Sequence, residues 1–306
     1  HSDRKQFLAF MGAFHGRSMG SLSLTASKPV QRKGYFPLVP GVTHIPYAYC
    51  YRCPYHQEYP SCGVWCAKII EEVYFQSFVP SEEICAMFVE AIQGEGGYIV
   101  PPKAFIQELA RICKDHGILL VDDDVQAGMG RTGKLWAIEN FDVVPDILCS
   151  AKSLGSGMPI GATVIRKELD FGPSAHSNTF GGNLIACVSA LATFEVIEEE
   201  HLLERAGKMG AYINHWLKDL QDKYEMIGDV RGMGMMQATE LVKDRKTKEP
   251  ASKVRDQIID LAFKRGVILI PAGKSTIRYI PPLVVDEAFI DAGMQVIASA
   301  FRDAGK

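Results

Sequence analysis

One lysine set behind an apolar run constrains this chain more than any other feature. Residues 146–161 read Asp-Ile-Leu-Cys-Ser-Ala-Lys-Ser-Leu-Gly-Ser-Gly-Met-Pro-Ile-Gly. Following Val143, Val144, Ile147 and Leu148, this stretch delivers Lys152 to the end of an expected buried strand, into a glycine-rich turn closed by Pro159. Burial lowers an ammonium pKa, and a neutral amine is a nucleophile toward carbonyls. The glycines let backbone or a flat ligand come close. A lysine at a strand end can also just lay its stem along apolar surface and reach water. The rest of the chain decides between these readings.

Other strand ends carry unusual residues too. Residues 5–11 form an apolar strand that runs into Gly12-Ala13-Phe14-His15-Gly16-Arg17. Phe14 offers a face to a flat ring, and His15 a donor or acceptor at its edge. Residues 83–92 read as a strand leading to Gln93-Gly94-Glu95-Gly96-Gly97, a second glycine-rich end with one acid in it. Residues 118–121 are a short buried strand ending in Asp122, Asp123 and Asp124, then Val125 and Gln126. Three adjacent acids at a buried strand end cannot all ionise without a cationic partner. Ser177 to Asn183 precede an expected helix over 184–200, placing Thr179, an amide and glycine N–H groups where an anion is welcome or a helix is simply capped. Arg278 lies in an apolar strand near the C-terminus and calls for a carboxylate.

Between these strands the spacing predicts helices over 67–78, 101–116 (with Gly117 ending it), 202–223 and 288–304. Strands at 142–149, 161–166, 226–230, 232–240 and 267–270 complete the pattern. Alternating strands and helices from 5 to 200 predict an α/β domain with a parallel or mixed sheet. The pattern changes near residue 205, so residues 1–205 are expected to form a large domain and 206–306 a small one.

With 306 residues, 47% hydrophobic and 23% charged, the composition is that of an ordinary globular enzyme. A net charge of −3 favours neither nucleic acid nor an anionic membrane. No apolar run approaches the ~20 residues that span a bilayer, no secretory leader is visible, and the expected compartment is the cytoplasm. Residues 28–66 hold six prolines and look irregular. Within them, Cys50, Cys53, Cys62 and Cys66 are spaced C-x2-C-x8-C-x3-C. Three states fit this spacing: a thiolate metal knuckle, two disulfides, or four reduced thiols.

An aldehyde cofactor accounts for all these strand ends at once: a lysine for a Schiff base, an acid for a pyridine nitrogen, an aromatic for stacking and an anion turn for a phosphate. At this point the chain resembles the class III aminotransferases, pyridoxal-phosphate enzymes of fold type I that include 4-aminobutyrate and ornithine aminotransferases. The matching stretches are FHGRSMG (14–20), QGEGG (93–97), DDVQAGMGRTG (123–133), PDILCSAKSLGSGMPIGA (145–162), NTFGGN (178–183) and RYIPPL (278–283). They occur in the family's order and span nearly the whole chain.

The resemblance implies a seven-stranded, mostly parallel sheet flanked by helices, with a C-terminal α/β small domain. It implies that Lys152 forms the Schiff base with pyridoxal 5'-phosphate and then shuttles a proton. Asp123 pairs with the pyridine nitrogen, Val125 and Phe14 pack on the two ring faces, Gln126 approaches the ring hydroxyl, and His15 stands beside them. Thr179 binds the phosphate of the neighbouring subunit, so a homodimer or higher oligomer is expected. Arg278 grips a carboxylate of the amino acid or 2-oxo acid substrate, and Glu95 pairs with Arg278 when an amine end must enter instead. The expected reaction is transamination of a 4-aminobutyrate-like amino acid with 2-oxoglutarate. Racemisation on the same scaffold is the alternative, although racemase relatives tend to place aspartate at the Glu95 position. Asp124 stands where the family commonly has glutamate, Ala91 where it often has proline, and Ser153 and Ser156 where it has glycine. The family's N-terminal segment has no counterpart here. From that follows an expectation of weak cofactor retention, or of an inactive paralogue.

Overall fold

Ten strands form two sheets in this computed structural model, which describes residues 2–305. The first six are β1 (Gln6–Phe10), β2 (Val42–Ile45), β3 (Ile84–Val89), β4 (Leu119–Asp123), β5 (Ile147–Ser150) and β6 (Ala162–Ile165). Their order is β2-β1-β3-β4-β5-β6. The first five are parallel, and β6 closes the edge antiparallel to β5. The expected mostly parallel α/β sheet is therefore present, with six strands among the described residues and not seven.

The central strands are buried because their apolar runs are continuous: Leu8, Ala9 and Phe10 in β1, and Ile84, Met87 and Val89 in β3, are essentially inaccessible to water. The helix Lys103–His116 covers them with Phe105, Ile106, Leu109, Ile112 and Cys113 at helical spacing. Each such fully buried side chain contributes about 1.5–3 kcal/mol. Gly117 ends this helix in the left-handed conformation (φ 62°), as its position in the sequence predicts.

Three expectations are corrected. Residues 28–66 contain a strand, β2, set between Pro40 and Pro46. Prolines restrict such a strand to a sheet edge, which is where it lies. The helical stretch at 65–77 is not continuous α-helix but carries a π turn, Ile70–Tyr74. The strand leading to Lys152 begins only at Ile147. Asp142 is left-handed (φ 55°) after a 3-10 turn, and Val144 is 93% exposed. Val144 is therefore not part of the buried run that seemed to deliver the lysine.

The second sheet is antiparallel, ordered β7-β8-β10-β9 from β7 (Ile227–Met233), β8 (Met236–Leu241), β9 (Ile270–Ala272) and β10 (Thr276–Tyr279). Helices Leu202–Lys223, Ser252–Lys264 and Glu287–Ala304 build its core around Leu217, Ile258, Ile277 and Phe301. β8 also contributes Met236 and Ala238 to the core of the first sheet, so the two sheets share packing. The helix Leu184–Glu199 stands apart. Leu184, Ile185, Val188 and Leu191 are each more than 60% exposed along it. No helix among the described residues is long and apolar enough to cross a membrane.

Candidate active site

Parallel strands aim their C-terminal ends at one rim, where α/β folds hold ligands. On that rim the loops after β1, β3, β4 and β5 place Phe14 and His15, Glu95, Asp123 to Gln126, and Lys152. Lys152 opens a 3-10 turn in a left-handed conformation (φ 45°), an uncommon state for a non-glycine residue and a form of strain associated with functional sites. Lys152 is exposed, yet enough protein surrounds the ammonium for desolvation to draw its pKa below the ordinary lysine value. The charges of Asp123, Glu90 and Glu95 oppose that shift. Ser156, four residues on, is also left-handed (φ 42°), a conformation glycine adopts at less cost.

The three adjacent acids have three different environments. Pleating sends neighbouring side chains of β4 to opposite faces. Asp122 is fully buried, and desolvation, followed by the charges of Asp124 and Asp123, pushes its pKa well above the carboxylate range. Asp124 accepts the Ala137 N–H at 2.7 Å, and burial pushes its pKa up to about 7. Only Asp123 is paired with a basic side chain. Its Oδ2 lies 2.7 Å from His15 Nδ1, and its Oδ1 accepts the Val125 N–H at 3.1 Å. Burial disfavours the charged imidazole, but the hydrogen bond and charge of Asp123, with the charge of Glu90, together raise the His15 pKa. His15 is paired with Asp123, and its side chain is only 3% exposed.

Glu90, which the sequence reading did not single out, ties two rim loops together. Its Oε1 accepts the Phe14 N–H and its Oε2 the Gly94 N–H, both at 2.8 Å. Burial pushes its pKa up to about 7. The available signal was one acid closing the apolar strand β3. Phe14 is half-buried, with the Arg17 guanidinium 5.6 Å from its ring centre. A Cβ at Gly94 would lie 2.4 Å from Gln126 Nε2, so a side chain there would displace the Gln126 carboxamide.

Glu95 and Arg278 meet across the two sheets, with Arg278 Nη2 3.0 Å from Glu95 Oε1. Arg278 also donates to Gln126 Oε1 at 3.3 Å and to the Pro271 carbonyl at 3.1 Å, and its guanidinium stands 5.7 Å from the centre of the Tyr98 ring. Lys28, absent from the sequence-based site, holds the other oxygen, Glu95 Oε2, at 3.2 Å. Nothing in the local sequence around Lys28 signals this, since the partner is 67 residues away.

Thr179 is not brought to this cluster. It lies in an exposed segment before the helix Leu184–Glu199, whose N-cap Asn183 accepts the Ala186 N–H. Cys50, Cys53, Cys62 and Cys66 are free thiols. Among the described residues, no group of three or more His, Cys, Asp or Glu side chains is placed to hold a metal ion. Burial pushes Cys66 up to about 12, with the neighbouring thiols adding to the shift, so it is a poor nucleophile.

An amine of lowered pKa, a supported carboxylate, a carboxamide and an aromatic face on one rim form a donor set that fits a pyridine aldehyde. Comparison with known proteins agrees. The family profile for class-III aminotransferases matches residues 1–301. The chain is 39% identical to a leucine/methionine racemase of Thermococcus litoralis over 99% of its own length and 68% of that protein. It is 36% identical to a 4-aminobutyrate aminotransferase of Escherichia coli, covering 98% of this chain and 70% of that one. The crystal structure of an amine transaminase from an uncultivated Pseudomonas species, in its pyridoxal-phosphate-bound form, superposes with a TM-score of 0.91 at 32% identity, over 99% of this chain and 70% of that one. The chain spans about two thirds of the length of such relatives. With this fold, this rim and these matches, the chain belongs to the class-III aminotransferase family, and its cofactor is pyridoxal 5'-phosphate.

Proposed function

We propose that the protein transfers the amino group of a 4-aminobutyrate-like ω-amino acid to 2-oxoglutarate. The observation that carries this reading is the Glu95–Arg278 ion pair at 3.0 Å. An arginine masked by a carboxylate presents a near-neutral surface to an amine-ended donor. Unmasked, it grips the second carboxylate of a dicarboxylate acceptor in a bidentate fork. One site thus accepts both partners of a transamination.

When bound, pyridoxal 5'-phosphate supplies an electron sink beside the substrate's amino carbon. Lys152 would hold the cofactor through its Nζ and move a proton at the substrate carbon, a task its lowered pKa suits. Asp123 would hold a proton at the ring nitrogen, with His15 fixing its carboxylate. Val125 and Phe14 would pack on the ring faces, Gln126 would approach the ring hydroxyl, and Arg278 would orient the substrate. Thr179 would serve the phosphate of a neighbouring copy. The exposed apolar run Phe180, Leu184, Ile185, Val188 and Leu191 supports a homodimer, since contiguous apolar surface of this kind marks association. The second core begins at Ala206, which supports dividing the chain into 1–205 and 206–306.

Racemisation is the second reading, supported by the 39% identity to the leucine/methionine racemase. Incubation with 4-aminobutyrate and 2-oxoglutarate, and separately with single L-amino acids, tests both. Glutamate formed without D-amino acid is the expected result. D-amino acid formed without any oxo acid overturns the transaminase reading in favour of the racemase.

A further inference from the structure

We propose that Lys28 is the second post of a two-position switch: it keeps Glu95 when a substrate carboxylate takes Arg278. The inference rests on the transaminase reading of this site and names a positioning residue within it. Glu95 is shared, with Oε1 3.0 Å from Arg278 Nη2 and Oε2 3.2 Å from Lys28 Nζ. Its side chain is 19% exposed, so a carboxylate released from Arg278 without another cation would stay largely desolvated and unpaired.

The backbone around Glu95 cannot move aside to solve that problem. The Gly273 N–H donates to the Glu95 carbonyl at 2.9 Å, and Arg231 Nη2 donates to the Gly97 carbonyl at 2.6 Å. A Cβ at Gly96 would lie 2.8 Å from the Gly12 carbonyl, so the loop is packed tightly on both sides. Only the Glu95 side chain is free to turn. Lys28, in contrast, is fixed from its own backbone. The following Pro29 restricts it to the extended region it occupies (φ −148°, ψ 134°). Its side chain is one-third exposed, so the ammonium pairs with a carboxylate without the full cost of burial. Release of Arg278 leaves Glu95 with the Lys28 pair it already has, so the opening costs less than leaving the carboxylate with no cation.

Lys28 therefore matters most for ligands that claim Arg278. Titration of glutarate, a dicarboxylate with neither amine nor ketone, into the pyridoxal-phosphate-loaded protein isolates that step from catalysis. Lys28→Met weakens glutarate about ten-fold, and Lys28→Arg restores most of the affinity. In a Glu95→Ala background, Lys28→Met changes glutarate binding by less than about two-fold, because Lys28 acts through Glu95. In steady state, Lys28→Met raises KM for 2-oxoglutarate more than for 4-aminobutyrate. Three results each overturn the proposal: no measurable glutarate binding by the wild type, unchanged binding in Lys28→Met, or an undiminished Lys28 effect in the Glu95→Ala background. Glutarate binding needs no turnover. A wild type that transfers no amino group yet shows the coupling sinks the transaminase reading alone, while one that turns over without the coupling sinks this proposal alone.

Discussion

The same rim carries two acid–cation pairs built on opposite plans. Asp123 and His15 form a closed pair: one acid, one imidazole and a further backbone donor, with both side chains largely withdrawn from water. Glu95 sits in an open arrangement, its two oxygens divided between Arg278 and Lys28, which belong to distant parts of the chain. A buried acid with a single partner is costly to separate and therefore holds a fixed charge in place. An acid between two partners can release one and keep the other. The first plan suits a group that stays through the whole reaction, and the second suits a surface that must receive two differently charged substrates.

The largest test of this contrast falls on the closed pair. Asp123→Asn keeps the shape and removes the charge, so turnover should fall by about 10²–10⁴-fold. Turnover within a few-fold of wild type, measured with saturating cofactor, would break the contrast at its rigid end.

Glu90 supports that rigid end, accepting from the Phe14 and Gly94 N–H groups with its two oxygens. Glu90→Gln replaces one acceptor with an NH2 group facing a backbone donor. It should cost about 1–3 kcal/mol of stability and weaken cofactor retention, as read by thermal unfolding and by absorbance after gel filtration. An unchanged melting temperature and cofactor content would show that the two loops are held by other contacts.

An effect of opposite sign is expected at Asp122. Its pKa is raised by folding, so its contribution is full below the unfolded value near 3.9 and is lost as pH rises through the folded value. Asp122→Asn carries no such loss. Relative to wild type the variant should gain stability as pH rises above about 4, by at most ~1.4 kcal/mol per pH unit. Denaturant titrations at pH 5 and pH 8 read this difference. A variant equally destabilised at both values would mean that folding does not raise the Asp122 pKa.

The rim itself was legible in sequence. Apolar runs ending in glycine-rich turns place Phe14, Glu95, Asp123 and Lys152 at strand ends, because strand length and turn chemistry are local properties. The requirement that Arg278 find a carboxylate was also legible, since it follows from charge and burial alone. The strand β2 was not, because four residues between prolines give no period to detect. Val144 was misread for a related reason, as an apolar residue in sequence need not be a buried one.

Local sequence could not assign fates to three identical acids in a row. Asp122, Asp123 and Asp124 became a fully buried core acid, a carboxylate paired with His15 and a cap for the Ala137 N–H, and only the pleat of β4 and the partners on neighbouring loops distinguish them. The same holds for Lys28, an ordinary lysine in its own segment, which acquires meaning only where the chain brings it to Glu95. Sequence by itself determined which chemistries this protein carries, because residue type and strand-end placement are written locally. Tertiary structure decided which groups hold charge and which partners share it, because desolvation and ion pairing depend on distances between residues far apart in the chain.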